Sequence, residues 1–180
     1  MVRPILAVTV GLPGMGKTTR AMEVEEELGA IRFTVDAWLK PLFGEANPRE
    51  GRYIMEGRLI ATARRLLELG QSVILDFGFW SRDERSALHD LARACGAEFR
   101  IEYADVERDE QWRRVDARQR SDHELATSFT ISRDMLDVYA DMFDPPTADE
   151  LAATEPPPAP PEAGTWSAWR AARWPTSEEP

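Results

Sequence analysis

The sequence predicts a three-layer α/β/α fold around a parallel sheet of four or five strands. Two observations support this prediction: short apolar runs rich in β-branched residues alternate with segments of helical periodicity, and helix-capping sequences stand between them. Strands that alternate with helices form parallel sheets covered on both faces, joined by right-handed crossovers. The 180 residues are enough for one domain, and a chain of this length buries about 70% of its unfolded surface.

Four strands are predicted from the apolar runs. The first run is bounded by Pro4 and Gly11 and is typical of a buried strand. The second and third runs lead directly to Asp36 and Asp76. The predicted strands are Ile5–Val10, Ile31–Val35, Ser72–Leu75 and Phe99–Tyr103.

Five helices are predicted, three of them from signals at their ends. Gly29 follows the first helix at the position of a C-terminal cap. Asn47 and Pro48 supply an N-cap and a proline at the first position of a long helix. Ser81 and Glu84 form a capping box before the next helix. The predicted helices are Thr18–Leu28, 48–69, 82–95, Asp109–Arg118 and Ile131–Phe143.

The composition changes near residue 150, so we divide the chain into a body, residues 1–150, and a proline-rich linker with a tryptophan-rich tail, residues 151–180. Seven of the 13 prolines lie between residues 156 and 180, and proline-rich segments are extended. Three alternatives follow for the tail: it packs on its own domain, docks on a partner or a second subunit of a dimer, or is disordered. The tryptophans that would make the contact are Trp166, Trp169 and Trp174.

Charge and composition exclude several classes of protein. The formal net charge of −10 argues against a protein that binds nucleic acid by bulk charge. This net charge does not exclude a local basic pocket. Cys95 is the only cysteine, so no intrachain disulfide can form and a cytoplasmic setting is expected. No apolar run reaches the roughly 18 residues that a membrane span needs, so no membrane association is expected. Only Lys17 and Lys40 are lysines, which makes the position of Lys17 informative.

Residues 11–18, Gly-Leu-Pro-Gly-Met-Gly-Lys-Thr, match the phosphate-loop pattern G-x-x-x-x-G-K-[ST] in full. Glycines let consecutive backbone N–H groups turn toward phosphate oxygens, and the following helix adds the positive end of its dipole. Lys17 is expected to reach the β- and γ-phosphates of a nucleotide, and the Thr18 hydroxyl to ligate Mg²⁺. The pattern therefore predicts a P-loop NTPase fold. The residues expected to contact the nucleotide are Gly11, Pro13, Gly14, Met15, Gly16, Lys17, Thr18 and Thr19.

Asp36 and Asp76 each follow a predicted strand at the carboxyl edge of the sheet, where open α/β folds bind ligands. Asp76 comes after a buried apolar run and is expected to hold Mg²⁺, directly or through water. Asp36 would face the acceptor, where a carboxylate can accept a hydroxyl proton during phosphoryl transfer. The alternative for both residues is a helix N-cap.

Four arginines are concentrated in residues 112–120. Arg114 and Arg118 share one helix face and are expected to stabilise the transferred phosphoryl group from a mobile helical lid. The alternative is a solvated helix face paired with neighbouring acids. His123 is assigned to the same lid. Further candidates for binding the acceptor are Arg52, Arg58, Arg82 and Arg85.

Taken together, these residues resemble the small AAA-type ATP-binding P-loop kinases, a group that includes chloramphenicol phosphotransferase, zeta-toxin kinases and the kinase domain of polynucleotide kinase. The resemblance covers about residues 4–150 and implies ATP as the nucleotide and the strand order 2-3-1-4-5. It also implies that Asp36 is the general base and that Arg114 and Arg118 are the lid arginines. The segments that carry it are Gly11–Thr18, Asp36, Val73–Arg85, Trp112–Arg118 and Phe143–Thr147.

The chain departs from this group in one respect. Such kinases add a fifth strand after the last helix, but residues 148–154 lack a β-branched apolar run and prolines follow at once. Either the fifth strand is missing or the tryptophan-rich tail replaces it.

Three functions remain open from the sequence. The first is an ATP-dependent phosphotransferase that acts on a hydroxyl of a small molecule. The second is a kinase for the 5′-hydroxyl of a polynucleotide, which the acidic net charge disfavours. The third is a nucleotide-dependent regulatory module without an acceptor, with the tryptophan-rich tail as its effector.

Overall fold

The computed structural model describes residues 3–46, 48–121 and 129–178. Its centre is a four-stranded parallel sheet with the order β2-β3-β1-β4. The predicted α/β fold class and the order of these four strands are confirmed, and the described residues contain no fifth strand. The strands are β1 (Ile5–Val10), β2 (Ile31–Thr34), β3 (Val73–Gly78) and β4 (Glu98–Tyr103).

The described residues form eight helices around the sheet. The predicted C-terminal cap at Gly29 is present, with a φ of 55°, and Ser81 and Glu84 form the predicted capping box before the fourth helix. No helix in these ranges is both long and apolar enough to cross a membrane. The helices are α1 (Lys17–Leu28), α2 (Val35–Phe43), α3 (Arg49–Glu68), α4 (Arg82–Ala94), α5 (Arg108–Gln119), α6 (Arg133–Met142), α7 (Ala148–Leu151) and α8 (Trp166–Arg173).

Helix α2 and the length of β3 differ from the prediction. β2 ends at Thr34, so Asp36 lies in the first turn of α2 instead of following a strand. Pro41 lies inside α2 and removes a backbone donor, which is why the sequence did not indicate a helix there. β3 continues to Gly78, so Asp76 lies within the strand rather than after its end. Three threonine hydroxyls donate to its carboxylate, so the charge is tolerated inside the sheet.

The start of α3 also differs. Pro48 precedes the helix as its N-cap, with a φ of −65°, and does not occupy the first turn. Proline has this φ both as an N-cap and as the first helical residue, and it has no N–H to lose. Both positions therefore accommodate proline. Asn47, predicted as the cap, lies outside the described residues.

The hydrophobic core covers both faces of the sheet. One face packs on α3 and α4, where Ile60 and Leu88 are fully buried, and the other packs on α1 through Ala21 and Val24. Burial on both faces explains why the strands appear in the sequence as continuous apolar runs. The sheet thus holds the carboxyl ends of β1 and β3 side by side.

The C-terminal segment, which we define as residues 165–178, packs on the helices of the domain. Trp174 has no exposed area and belongs to the core cluster that contains residues of β1, β3 and α4. Arg170 is buried and donates to the Ala87 carbonyl and the Asp90 carboxylate of α4. The segment forms helix α8 rather than a strand, so it does not replace the fifth strand.

Gly57 of α3 marks the closest approach of the C-terminal segment. A Cβ there would lie 2.5 Å from Thr176 Oγ1 and 3.0 Å from the backbone N of Ser177. Although alanine usually stabilises a helix by about 1 kcal/mol relative to glycine, the segment would have to move to accept it. We therefore expect Gly57→Ala to lower the free energy of unfolding by about 1–3 kcal/mol in urea titrations.

Gly51→Ala, in the same helix but beside side chains only, is the matched control. It should change the free energy of unfolding by less than about 1 kcal/mol. Equal effects of the two substitutions would contradict the packing of the C-terminal segment on α3.

Candidate active site

The phosphate loop connects β1 to α1 in conformations that its glycines allow. Gly14 and Gly16 have φ values of 82° and 92°, in the left-handed region that other residues rarely adopt. A Cβ at Gly14 would lie 2.6 Å from Val115 Cγ2, so the loop packs directly against α5. Gly16 is the N-cap of α1, whose first N–H groups have no partners within the helix. The loop and helix start together form a cradle that suits a phosphate group.

Three other predicted loop residues have distinct positions. Met15 is nearly buried, and its Sδ accepts from the Leu12 N–H at 3.1 Å, so its side chain supports the loop from inside. The Pro13 carbonyl accepts from Gln111 Nε2 at 2.8 Å, which ties the loop to α5. Thr19 is exposed in the first turn of α1.

Lys17 lies where the charges of several predicted site residues meet. Its ammonium donates to the Leu12 carbonyl at 2.9 Å. Burial lowers the pKa of Lys17 below its ordinary value. The carboxylates of Asp76 and Asp36 oppose that shift in the pKa, and the guanidinium of Arg118 adds to it. The sheet and helices therefore bring these four residues to one place.

Asp76 is buried and accepts three hydroxyl hydrogen bonds. Thr9 donates to Oδ1 at 2.9 Å, whereas Thr18 and Thr34 donate to Oδ2 at 2.8 and 3.1 Å. The Thr18 hydroxyl and the Asp76 carboxylate are oxygen ligands of the kind that Mg²⁺ prefers. Within the described ranges no three acidic, histidine or cysteine side chains could bind a metal together. The Thr18 and Asp76 oxygens alone would leave the other positions on Mg²⁺ to waters and nucleotide phosphates.

Asp36 lies at one end of a polar and aromatic cluster. Arg52 of α3 donates to Asp36 Oδ1 at 2.6 Å and lies over the ring of Phe129. Burial raises the pKa of Tyr139 of α6, an effect that Arg52 opposes and Asp36 strengthens, so Tyr139 is close to both charges. The Tyr139 ring contacts that of Trp80, whose indole N–H donates to the phosphate loop at 3.2 Å. The cluster joins the loop to the Asp36–Arg52 pair.

Helix α5 brings Arg114 and Arg118 to the phosphate loop. Arg114 pairs with Glu110 at 2.7 Å, and its Nη1 lies 3.5 Å from the place of a Cβ on Gly16. Arg118 Nε is buried and has no hydrogen-bond partner within the described residues. A buried polar atom without a partner is costly, which suits a group that awaits an anionic ligand. His123, assigned to the same lid, lies outside the described residues.

The structure corrects the assignment of Arg85 to the acceptor, whereas the assignment of Arg82 stays a prediction. Arg85 is 1% exposed, so no acceptor can reach it. Its guanidinium instead donates to Glu150 at 2.7 Å and to three backbone carbonyls, because its rigid donors suit a buried junction of several segments. Arg82 is exposed and lines a small cavity between α4, β4 and residues 149–157. Arg52, which was also predicted to bind the acceptor, lies beside Asp36.

Replacing Arg85 by methionine tests this correction. The change leaves Glu150 and three carbonyls without their donor, so we expect the free energy of unfolding to fall by about 3–5 kcal/mol. Arg82→Met, on the same helix but exposed, should change it by less than about 0.5 kcal/mol. Stability is measured by thermal and urea unfolding. If Arg85→Met bound the acceptor more weakly but kept the free energy of unfolding of the wild type, Arg85 would belong to the acceptor site.

The sequence did not indicate three side chains of the site: Trp80, Gln111 and Tyr139. Gln111 has a weak signal, because it shares a helix face with the apolar Val115 and a buried amide needs a partner. Trp80 and Tyr139 have no such signal. Their contact depends on how α6 returns to the end of β3, which local sequence does not specify.

Comparisons with known proteins identify the family of the chain. A family model described as an AAA domain (AAA_33) matches residues 6–146. No curated protein matches the sequence.

Several solved structures share the fold. Kti12 of Chaetomium thermophilum in complex with ADP-AlF3 is 21% identical, with a TM-score of 0.63 over 84% of this chain and 86% of that one. A sugar kinase from Janibacter sp. HTCC2649 is 20% identical, with a TM-score of 0.55 over 99% and 96% of the two chains. A chain of the Pnkp1/Rnl/Hen1 RNA repair complex is 21% identical, with a TM-score of 0.60 over 79% of this chain. The match spans 44% of that longer chain.

Proposed function

Because the chain belongs to the AAA domain family and has a P-loop kinase-like fold, we propose that it is an ATP- and Mg²⁺-dependent phosphotransferase. It transfers the γ-phosphate of ATP to a hydroxyl of a small-molecule acceptor. The observation that carries the proposal is the position of Asp36, whose charge acts on Lys17 and whose carboxylate is held by Arg52. A carboxylate beside the transferred phosphate can accept the proton of an attacking hydroxyl.

The proposed reaction uses groups that already surround the loop. The acceptor hydroxyl oxygen attacks the γ-phosphorus, its proton passes to Asp36, and the bond to the β-phosphate oxygen breaks to leave ADP. Lys17 and the backbone N–H groups of the loop bind the phosphates, while Arg114 and Arg118 stabilise the charge on the equatorial oxygens. Thr18 and Asp76 would hold Mg²⁺, which neutralises charge on the β- and γ-phosphates when bound.

The charges of α5 favour a small acceptor over a polynucleotide. Arg113 and Arg114 pair with Glu110, and Arg120 pairs with Asp116. Glu110 and Asp116 neutralise Arg113 and Arg120, so apart from Arg114 and Arg118 beside the phosphate loop, α5 offers no continuous basic surface for a phosphate backbone.

A screen of candidate acceptors with ATP labelled at the γ-phosphate tests the proposal. We expect label to appear on a small molecule that carries a hydroxyl group, and Asp36→Asn run beside the wild type should remove it. A labelled oligonucleotide, with binding that weakens steeply as salt rises, would favour the polynucleotide alternative. Nucleotide binding without transfer to any acceptor would favour a regulatory module instead.

A further inference from the structure

A series of polar contacts connects the C-terminal segment to the Asp36–Arg52 pair. Trp174 Nε1 donates to Glu56 Oε2 at 2.9 Å, and both side chains are buried. Glu56 Oε1 lies 3.6 Å from Arg52 Nη1. Arg52 Nη2 in turn donates to Asp36 Oδ1 at 2.6 Å. Arg52 is therefore held between two carboxylates, one in the interior and one at the active site.

Glu56 is a buried carboxylate on α3, and its ionised form is energetically unfavourable there. Its pKa is raised from an ordinary value near 4.5 to about 7, chiefly by burial and also by the neighbouring carboxylate of Glu84 of α4. Arg52, the indole of Trp174 and Arg173 oppose this rise in the pKa. A buried ion pair of this kind is often no more stable than apolar residues of the same volume. The position of Glu56 between the C-terminal segment and the active site therefore points to a role other than stabilising the fold.

Further contacts hold the C-terminal segment in register with Glu56. Thr176 donates to the Ile54 carbonyl at 2.7 Å. Arg173 donates to Glu84 at 3.0 Å and lies 3.9 Å above the ring of Tyr53. These contacts are on both sides of Trp174, so its indole N–H is directed at Glu56.

We propose that Glu56 is a positioning residue that couples the docked C-terminal segment to the acceptor side of the active site. The inference rests on the proposed function, in which Asp36 accepts the hydroxyl proton. When Glu56 is ionised, Arg52 is shared between the two carboxylates and leaves Asp36 able to take that proton. When Glu56 is protonated, Arg52, which already donates to Asp36, pairs with that carboxylate alone and leaves it less able to take the proton. Trp174 favours the active arrangement because it donates to the ionised form.

The pH dependence of turnover tests the coupling. With the acceptor found by the screen, kcat of the wild type should rise about tenfold between pH 6 and pH 8, with a midpoint near 7 where Glu56 ionises. In Glu56→Gln, whose amide oxygen can still accept from Trp174, kcat should stay at the low level throughout. In Trp174→Phe the rise should move to higher pH, because the indole no longer favours the ionised carboxylate. KM for ATP should be unchanged in both variants.

Trp166→Phe is the matched control. Trp166 belongs to the same core cluster, but its indole N–H donates to the Pro157 carbonyl at 2.9 Å and not to a side chain of α3. Its pH profile should match that of the wild type even if its stability falls. A merely structural role for Trp174 would give both tryptophan variants the same profile, which would contradict the coupling.

A second measurement does not need an acceptor. In ¹⁵N NMR spectra of the full chain, the Trp174 indole and Arg52 side-chain resonances should titrate together with a midpoint near 7. Glu56→Gln should abolish both titrations. If the Arg52 resonance behaves alike in the wild type and Glu56→Gln, the inference is wrong, whatever the screen finds. If the screen finds no acceptor but both resonances titrate together, the proposed function fails and the coupling stands.

Discussion

Replacing Asp36 by asparagine should reduce kcat for phosphotransfer by about 10³-fold, within the range expected for a lost general base. Asparagine has nearly the same shape but cannot accept the hydroxyl proton. The phosphate loop does not contact this side chain through any described hydrogen bond, so the affinity for ATP should change by less than about threefold. Initial rates at saturating ATP and calorimetric titration of the nucleotide measure the two effects separately.

Asp109→Asn is a suitable control, because that carboxylate is 89% exposed on α5. It removes one negative charge without altering the active site, so its kcat should equal that of the wild type. If Asp36→Asn retains turnover within about threefold of the wild type, another group accepts the proton. If it loses ATP binding instead, Asp36 serves the nucleotide rather than the acceptor.

Replacing Lys17 by methionine should lower kcat/KM for ATP by at least about 10³-fold, because a phosphate-binding cation is lost from both the ground state and the transition state. ATP should also no longer raise the thermal unfolding temperature. Since burial lowers the pKa of Lys17, its charge is costly in the absence of ligand. We therefore expect the nucleotide-free variant to unfold at the same temperature as the wild type or higher, measured by calorimetry.

Lys40 is the other lysine of the chain and provides the control for this experiment. It pairs with Glu45 and lies over the ring of Phe129 instead of belonging to the phosphate loop, so Lys40→Met should keep the stabilisation by ATP. A similar loss of ATP stabilisation in both variants would indicate a general effect of charge. Retention of ATP stabilisation in Lys17→Met would contradict the assignment of Lys17 to the phosphates.

Much of the fold could be predicted because its signals are local. Apolar runs buried on both faces indicate parallel strands, and the caps at Gly29 and Ser81 depend on residues a few positions apart. Helix α2 was not predicted, since Pro41 opposes a helix locally and tertiary packing overrides it. Arg85 was misassigned because burial, which decides its role, is a property of the assembled domain.

By itself, the sequence determined the phosphate loop, because the loop's conformation follows from glycines and a helix start within eight consecutive residues. It also indicated the two aspartates and the arginines of α5. Only the tertiary structure decided which of these side chains meet, and it placed Tyr139 and Trp80 beside them. It alone joined Trp174 to Glu56 and Arg52. Such contacts join residues far apart in the chain, and they form only when the sheet and its helices are assembled.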